Sequence, residues 1–259
     1  MFDWTIYLNA GLAMLAFALC GWLLSFVKKD VSIVDTMWSL MILLAGCVFY
    51  LSTTDDSPRR TLVLILLVVW AVRLAAHITR VHYGKEEDYR YQQIRANNQP
   101  HFEYKSVYIV FGLQAFLGWL VALPILAAIN SNTPLGWLDY AGLALWAFGM
   151  FFEAVGDWQM MKFKADPSSK SKVFDQGLWR YSRHPNYFGE CCIWWGFFLL
   201  ALAAGGWWSI LSPLIMTFLL LKVSGVAMLE KDIGERRPAY AQYTKQTNAF
   251  IPWFPQKDS

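Results

Sequence analysis

The chain has 259 residues, 56% of them apolar and 16% charged, with a formal net charge of +3 and a mean hydropathy of +0.33. That balance excludes an ordinary soluble domain of this length, and so small a net charge leaves no electrostatic footprint for nucleic acid. The expected class is an all-α integral membrane protein, with seven transmembrane helices in one domain over residues 1–259.

A helix needs about 20 mostly apolar residues to cross the hydrocarbon. Seven segments qualify, at approximately 3–27, 31–52, 61–79, 106–130, 137–156, 189–203 and 206–228, the sixth being short. The first opens without a basic stretch or a spacer before a cleavage site, so it is expected to be retained rather than removed as a signal peptide. In the second, "SIVDTMWSL" puts Asp35 about one turn inside, near Trp38. A carboxylate at that depth needs a partner or a raised pKa. In the third, "WAVRLAAHITR" sets Arg73 and His77 four residues apart, on one helix face with Arg80. Each such ionisable group costs roughly 2.5–3.5 kcal/mol on insertion and so becomes a functional candidate. The polar stretch "KEEDYRYQQIR", with Tyr89 and Tyr91, reads as a loop. Gln114 lies inside the fourth span.

The fifth span ends in "FFEAVGDWQMMKFK", where Glu153 and Asp157 are four apart and Lys162 and Lys164 follow. Acids followed by bases suit a ribose and then a phosphate; solvated charges at an ordinary helix end would look the same. Next comes "GLWRYSRHPNYFGE". Its Gly, Pro and polar residues break any helix before the sixth span, and a loop at that depth must be buried in protein or line a cavity. Arg180, Arg183 and His184 are donors for phosphate, Asn186 reads an amide or hydroxyl, and Glu190 suits a helix start. Tyr181 and Tyr187 can stack on a flat ring, while Trp194 and Trp195 can line a cavity. The tail adds Glu230, two arginines, Tyr240 and Tyr243, able to fold over a nucleotide-sized cofactor.

The four cysteines, Cys20, Cys47, Cys191 and Cys192, all lie in apolar spans without metal-ligand spacing, so they are expected to be buried hydrophobes and no metal is expected. Lys and Arg concentrate after spans one, three, five and seven, leaving only Arg59 and Arg60 on the other side. By the positive-inside rule the N-terminus is outside and the C-terminus cytoplasmic, in a bacterial inner membrane or the endoplasmic reticulum.

The segment from Glu153 to Glu190 and Trp194, with its Pro-terminated tail, resembles the C-terminal half of the steroid 5α-reductase family and its sterol reductase relatives. The resemblance rests on the acid at 157, the base at 164, "GL" at 177, Asn186, "GE" at 189 and Trp194, and covers roughly the last 110 residues. It implies NADPH-dependent reduction of a carbon–carbon double bond conjugated to a ketone, as in a 3-oxo-Δ4 steroid, by a monomer whose flat, apolar substrate enters from the membrane lipid. It further implies a substrate cavity in about residues 1–130 and a cofactor region in about 137–259. Phosphates would lie near Lys164, Lys172, Arg180, Arg183 and His184, with Glu153, Asp157, Asn186 and Glu190 on ribose and nicotinamide. The family holds the ketone with a carboxylate on span two and a tyrosine on span three. Those positions fall here on Asp35, preceded by Val34 where the steroid enzymes have Gln, and on His77. Asp35 and His77 are then expected to share a proton and polarise the ketone, with Trp38, Arg73 and Gln114 around the substrate and Tyr89 or Tyr91 as alternative donors.

"RHPNY" is also similar to the "RHPxY" of isoprenylcysteine carboxyl methyltransferases, which would imply S-adenosylmethionine instead. A transporter is the remaining class, since buried Asp, Arg and His can form an ion path, but no inverted repeat supports it.

Overall fold

The structure, a computed structural model, describes residues 2–54, 56–169, 172–223, 225–226, 230 and 239–256. Regular structure among them is helical throughout, without a strand. The helices are α1 (Trp4–Lys28), α2 (Ile33–Ser52), α3 (Pro58–His82), α4 (Tyr89–Asn97), α5 (Phe102–Val121, with a π-helical stretch at Val107–Gly112), α6 (Leu123–Ile129), α7 (Trp137–Ala165), α8 (Pro185–Ala203), α9 (Leu211–Phe218) and α10 (Tyr240–Gln246). Six of these, α1, α2, α3, α5, α7 and α8, are long and apolar enough to cross a membrane, and the apolar segment Trp207–Val223 is shorter. The protein is therefore an all-α, multi-pass membrane protein.

The helices of spans three and five run on beyond their expected limits, to Pro58–His82 and Trp137–Ala165, and spans four, six and seven differ for local reasons. Residues 106–130 form two helices, because Pro124 in the first turn of α6 has no N–H to continue the ladder of α5. The sixth span starts at Pro185 rather than 189, since proline at the first helical position arrives with φ already set. Span seven is a 3-10 turn (Trp207–Ile210), then α9, then a π-helical stretch (Leu219–Val223). Its expected end near residue 228 and the two tail arginines, Arg236 and Arg237, lie outside the described residues.

The chain divides into two compact units, Met1–Gly136 with Leu200–Ser209, and Trp137–Leu199 with Ile210–Ser259. In the first, α2 packs on α1, α3, α5 and α6, burying Val34, Met41, Ile42, Ala45 and Phe49 completely. Lipid is as apolar as leucine, so such contacts hold by close packing and by polar ties rather than by escape from water. One tie joins α1 to α5: the Tyr7 hydroxyl donates to the Trp119 carbonyl at 3.0 Å and the Trp119 indole donates back at 2.9 Å. Arg59, expected on the side opposite the other bases, is buried at the start of α3, 1% exposed. Its guanidinium donates to the carbonyls of Thr133 and Pro134 at 3.0 and 2.9 Å.

The second unit is organised by the seam between α7 and α8. A Cβ on Gly149 would fall 2.5 Å from the Gly189 carbonyl oxygen, and one on Gly189 would fall 2.5 Å from the Glu153 nitrogen. The two backbones therefore touch, as small residues permit in membrane helices. That contact sets Glu153 and Asp157 of α7 beside the first turns of α8.

Candidate cofactor and proton-donor sites

At the α7–α8 seam, Glu153, Asp157 and Glu190 are buried. Asn186, half-buried in the first turn of α8, donates through Nδ2 to Asp157 Oδ1 at 2.9 Å. Its other amide atom, Oδ1, is a buried acceptor for which the described residues provide no donor. One turn on, the Trp194 indole donates to Glu190 Oε1 at 2.9 Å. This fits the ribose and carboxamide parts of a nicotinamide nucleotide: carboxylates accept from sugar hydroxyls, and the Asn186 oxygen accepts from an amide N–H. Lys164, Lys172 and Arg180 are exposed.

Arg183 and His184 are otherwise placed than expected. Arg183 grips Glu230 through Nε at 2.7 Å and Nη2 at 2.8 Å, and gives Nη1 to the Thr247 and Thr244 carbonyls at 2.6 and 3.2 Å. His184 Nε2 lies 2.9 Å from Glu230 Oε1, and the Tyr240 hydroxyl donates to the same oxygen at 3.2 Å. Burial pushes the Glu230 carboxyl up, but the hydrogen bonds from His184 and Arg183 and the Arg183 charge outweigh it, leaving a pKa of about 2. Arg183, His184, Glu230 and Tyr240 thus form a clasp holding the tail to the segment before α8, where phosphate donors were expected. Tyr243 belongs to the same clasp, its hydroxyl donating to the Trp179 carbonyl. Tyr181 meets Phe254 edge-on and Tyr187 stacks on His184.

A cavity of about 670 Å³ lies beyond the seam in the same unit, lined by Phe163, Lys172, Phe174, Gln242 and Tyr243 among others. In the first unit a cavity of about 920 Å³ is lined by Ile33, Thr36, Met37, Thr79 and His82 with surrounding loop residues. Neither lining includes Glu153, Asp157, Asn186 or Glu190, nor Asp35 or Tyr91.

In the first unit the sequence reading is corrected at Asp35. Its partners are Tyr91, whose hydroxyl donates to Oδ1 at 2.5 Å, and Arg90, whose Nη2 donates to Oδ2 at 2.6 Å. His77, the partner expected from the sequence, sits half-buried on α3 and is not among them. The stretch read as a loop contains α4, started by Asp88, which accepts from the Arg90 backbone N–H at 2.9 Å and from its Nε at 2.9 Å. Arg95, near the end of α4, forks onto both oxygens of Glu87 at 2.8 and 2.9 Å, and Glu87 in turn accepts from the Val31 N–H at 3.0 Å. These bonds fold α4 back onto the start of α2, and Tyr91 becomes 6% exposed. Burial and the Asp35 charge raise the Tyr91 phenol well above its ordinary pKa, so it stays protonated at neutral pH; Gln114 is half-buried on α5. Asp35 is in the first turn of α2, where the helix dipole favours a carboxylate. Trp38 and Arg73 are half-buried on α2 and α3. Sequence reasoning missed Arg90 and Asp88; the cap pattern Asp88 before a short polar helix was the available signal.

Among the described residues, no three His, Cys, Asp or Glu side chains gather as metal ligands would. A fission yeast (Schizosaccharomyces pombe) protein described as uncharacterized protein C594.04c is 27% identical over 263 residues, covering 89% of this chain and 75% of its own. No solved structure matches. The profile of a family described as protein of unknown function DUF1295 matches residues 21–247, so the chain belongs to the DUF1295 family.

Proposed function

We propose that this protein is a membrane oxidoreductase that uses NADPH to reduce a carbon–carbon double bond conjugated to a ketone in a flat, apolar lipid such as a 3-oxo-Δ4 steroid. The observation that carries the reading is the Tyr91–Asp35 pair: a buried, protonated phenol on a carboxylate that Arg90 compensates. The resemblance of the last 110 residues or so to steroid 5α-reductases supplies the cofactor, and the acceptor set at Glu153, Asp157, Asn186 and Glu190 suits its ribose and carboxamide. NADPH, when bound, supplies a hydride to the β-carbon of the enone.

The chain's own part is to stabilise charge on the ketone oxygen. Tyr91 has one hydroxyl proton, given to Asp35 in this structure. A carbonyl oxygen arriving beside it takes over that hydrogen bond by rotation about the phenol C–O bond, while Arg90 keeps Asp35 compensated; the enolate left by hydride addition takes its proton at the α-carbon from water. Because its pKa is raised, the phenol acts as a fixed hydrogen-bond donor to the developing enolate rather than ionising beforehand. His77 is replaced by Tyr91 in this assignment because Asp35 bonds Tyr91.

The test is NADPH oxidation by the detergent-solubilised chain with progesterone or testosterone, the product identified by mass. A gain of two hydrogens, dependent on NADPH, is expected. Binding of S-adenosylmethionine with no NADPH oxidation would overturn the reading in favour of a membrane methyltransferase.

A further inference from the structure

The C-terminal segment "FIPWFP", residues 250–255, joins no helix, yet its main chain is pinned at several points. Ser182 Oγ donates to the Phe250 carbonyl at 2.8 Å. The Trp253 N–H donates to the Tyr181 carbonyl at 2.9 Å, and the Gln256 N–H to the Gln246 carbonyl at 2.8 Å. Just upstream, the Arg183 N–H donates to the Asn248 carbonyl at 2.9 Å. A backbone so held fixes where its side chains go, and Ile251, Trp253 and Phe254 stand out from it, 63, 64 and 75% exposed. Three large apolar side chains side by side on a pinned surface call for a partner.

The neighbouring aromatic residues say which partner. Phe250 meets Phe188 of α8 edge-on, 5.9 Å between centroids, and Phe188 meets Phe148 and Phe152 of α7 at 6.1 and 5.4 Å. Phe148 and Phe151 are themselves 47 and 54% exposed on a helix long and apolar enough to cross the membrane. The exposed tail residues therefore continue an aromatic surface that already faces lipid. Pro252 and Pro255 carry no N–H, and that of Trp253 is satisfied by protein, which lowers the cost of taking this backbone out of water. Tryptophan and an exposed base such as Arg180 suit the headgroup region.

We infer that residues 250–254 form an interfacial anchor, with Ile251, Trp253 and Phe254 inserted at the headgroup boundary of the bilayer. The anchor fixes the depth of the Tyr181–Arg183 segment to which it is bonded, and it stands independently of the reductase reading.

Photocrosslinking of the full chain tests it. Trp253→p-benzoylphenylalanine and Phe254→p-benzoylphenylalanine variants are irradiated in vesicles of phosphatidylcholine and phosphatidylglycerol, beside the same replacement at lipid-facing Phe151 and at Lys245 on α10. Both tail positions are already exposed, so the folded chain tolerates the replacement. Lipid adducts at 253 and 254 are expected at a yield like that of Phe151, and about tenfold above that at Lys245. A yield no higher than at Lys245 means that the segment faces water, and a crosslinked chain dimer means that a second copy covers it; either result overturns the inference.

Discussion

Asp35 shows how one residue's meaning depends on partners 55 and 56 positions away in sequence. A carboxylate one turn into a membrane helix is costly by itself, but here the Arg90 guanidinium and the Tyr91 hydroxyl both donate to it in the first turn of α2. On the proposed mechanism Tyr91 is the group that touches the ketone. Tyr91→Phe keeps the ring and removes only the donor, so kcat is expected to fall by about 10²–10³, the usual loss for one oxyanion donor, with NADPH binding unchanged. Steady-state kinetics with cofactor titration check this, and an unimpaired Tyr91→Phe enzyme would remove the phenol from the chemistry. Asp35→Asn is expected to lower kcat as well, because the amide can turn its NH2 group toward Tyr91 and no longer balances Arg90. Retention of full activity by His77→Phe is the companion expectation, since His77 is not bonded to Asp35.

At the scale of elements, the α7–α8 seam is where backbone geometry sets the proposed cofactor site. Gly142, Gly149 and Gly156 recur every seven residues along α7, and Gly149 lies against the Gly189 carbonyl. Any side chain at Gly149 must push α8 away, carrying Asn186 and Glu190 from Asp157 and Glu153. Gly149→Leu is therefore expected to destabilise the chain by about 1–3 kcal/mol, the usual cost of overpacking. It should also weaken NADPH binding more than it lowers the melting temperature would suggest, as read by cofactor titration beside thermal unfolding. The seam was legible in part: the acids, Asn186 and the "GE" pair could be picked out of the sequence, whereas the touching of the two backbones could not. α4 was hidden for a physical reason, because its nine residues are mostly polar and carry no amphipathic period. What makes it a helix and buries Tyr91 is the Asp88 cap and the Arg95–Glu87 fork, which are tertiary ties rather than propensity.

For the whole molecule, hydropathy made the helical membrane class and most spans readable, since length and apolarity are what a bilayer requires. What hydropathy does not report is how polar connections fold, and there the expectation for Arg183 and His184 met the Glu230 clasp instead of an open phosphate site. The clasp also sets a dependence on acid. Glu230 has a folded pKa of about 2 against an ordinary value of 4.5. A depressed carboxyl contributes its stability fully above the unfolded value and loses it as pH falls through the folded one. Attachment of the tail should therefore be constant above about pH 4.5 and weaken progressively between there and about pH 2. Pepsin, which cuts beside aromatic residues, reads this directly at Tyr240, Tyr243 and Phe250. Near pH 4.5 the wild-type tail should be cut more slowly than that of Glu230→Gln, which keeps the shape but lacks the charge that Arg183 grips. The two rates should converge as pH approaches 2, because protonated Glu230 and Gln then offer Arg183 similarly neutral partners. Equal cutting of both proteins at pH 4.5 would mean that the tail is held by its backbone bonds to Tyr181, Ser182 and Arg183 alone.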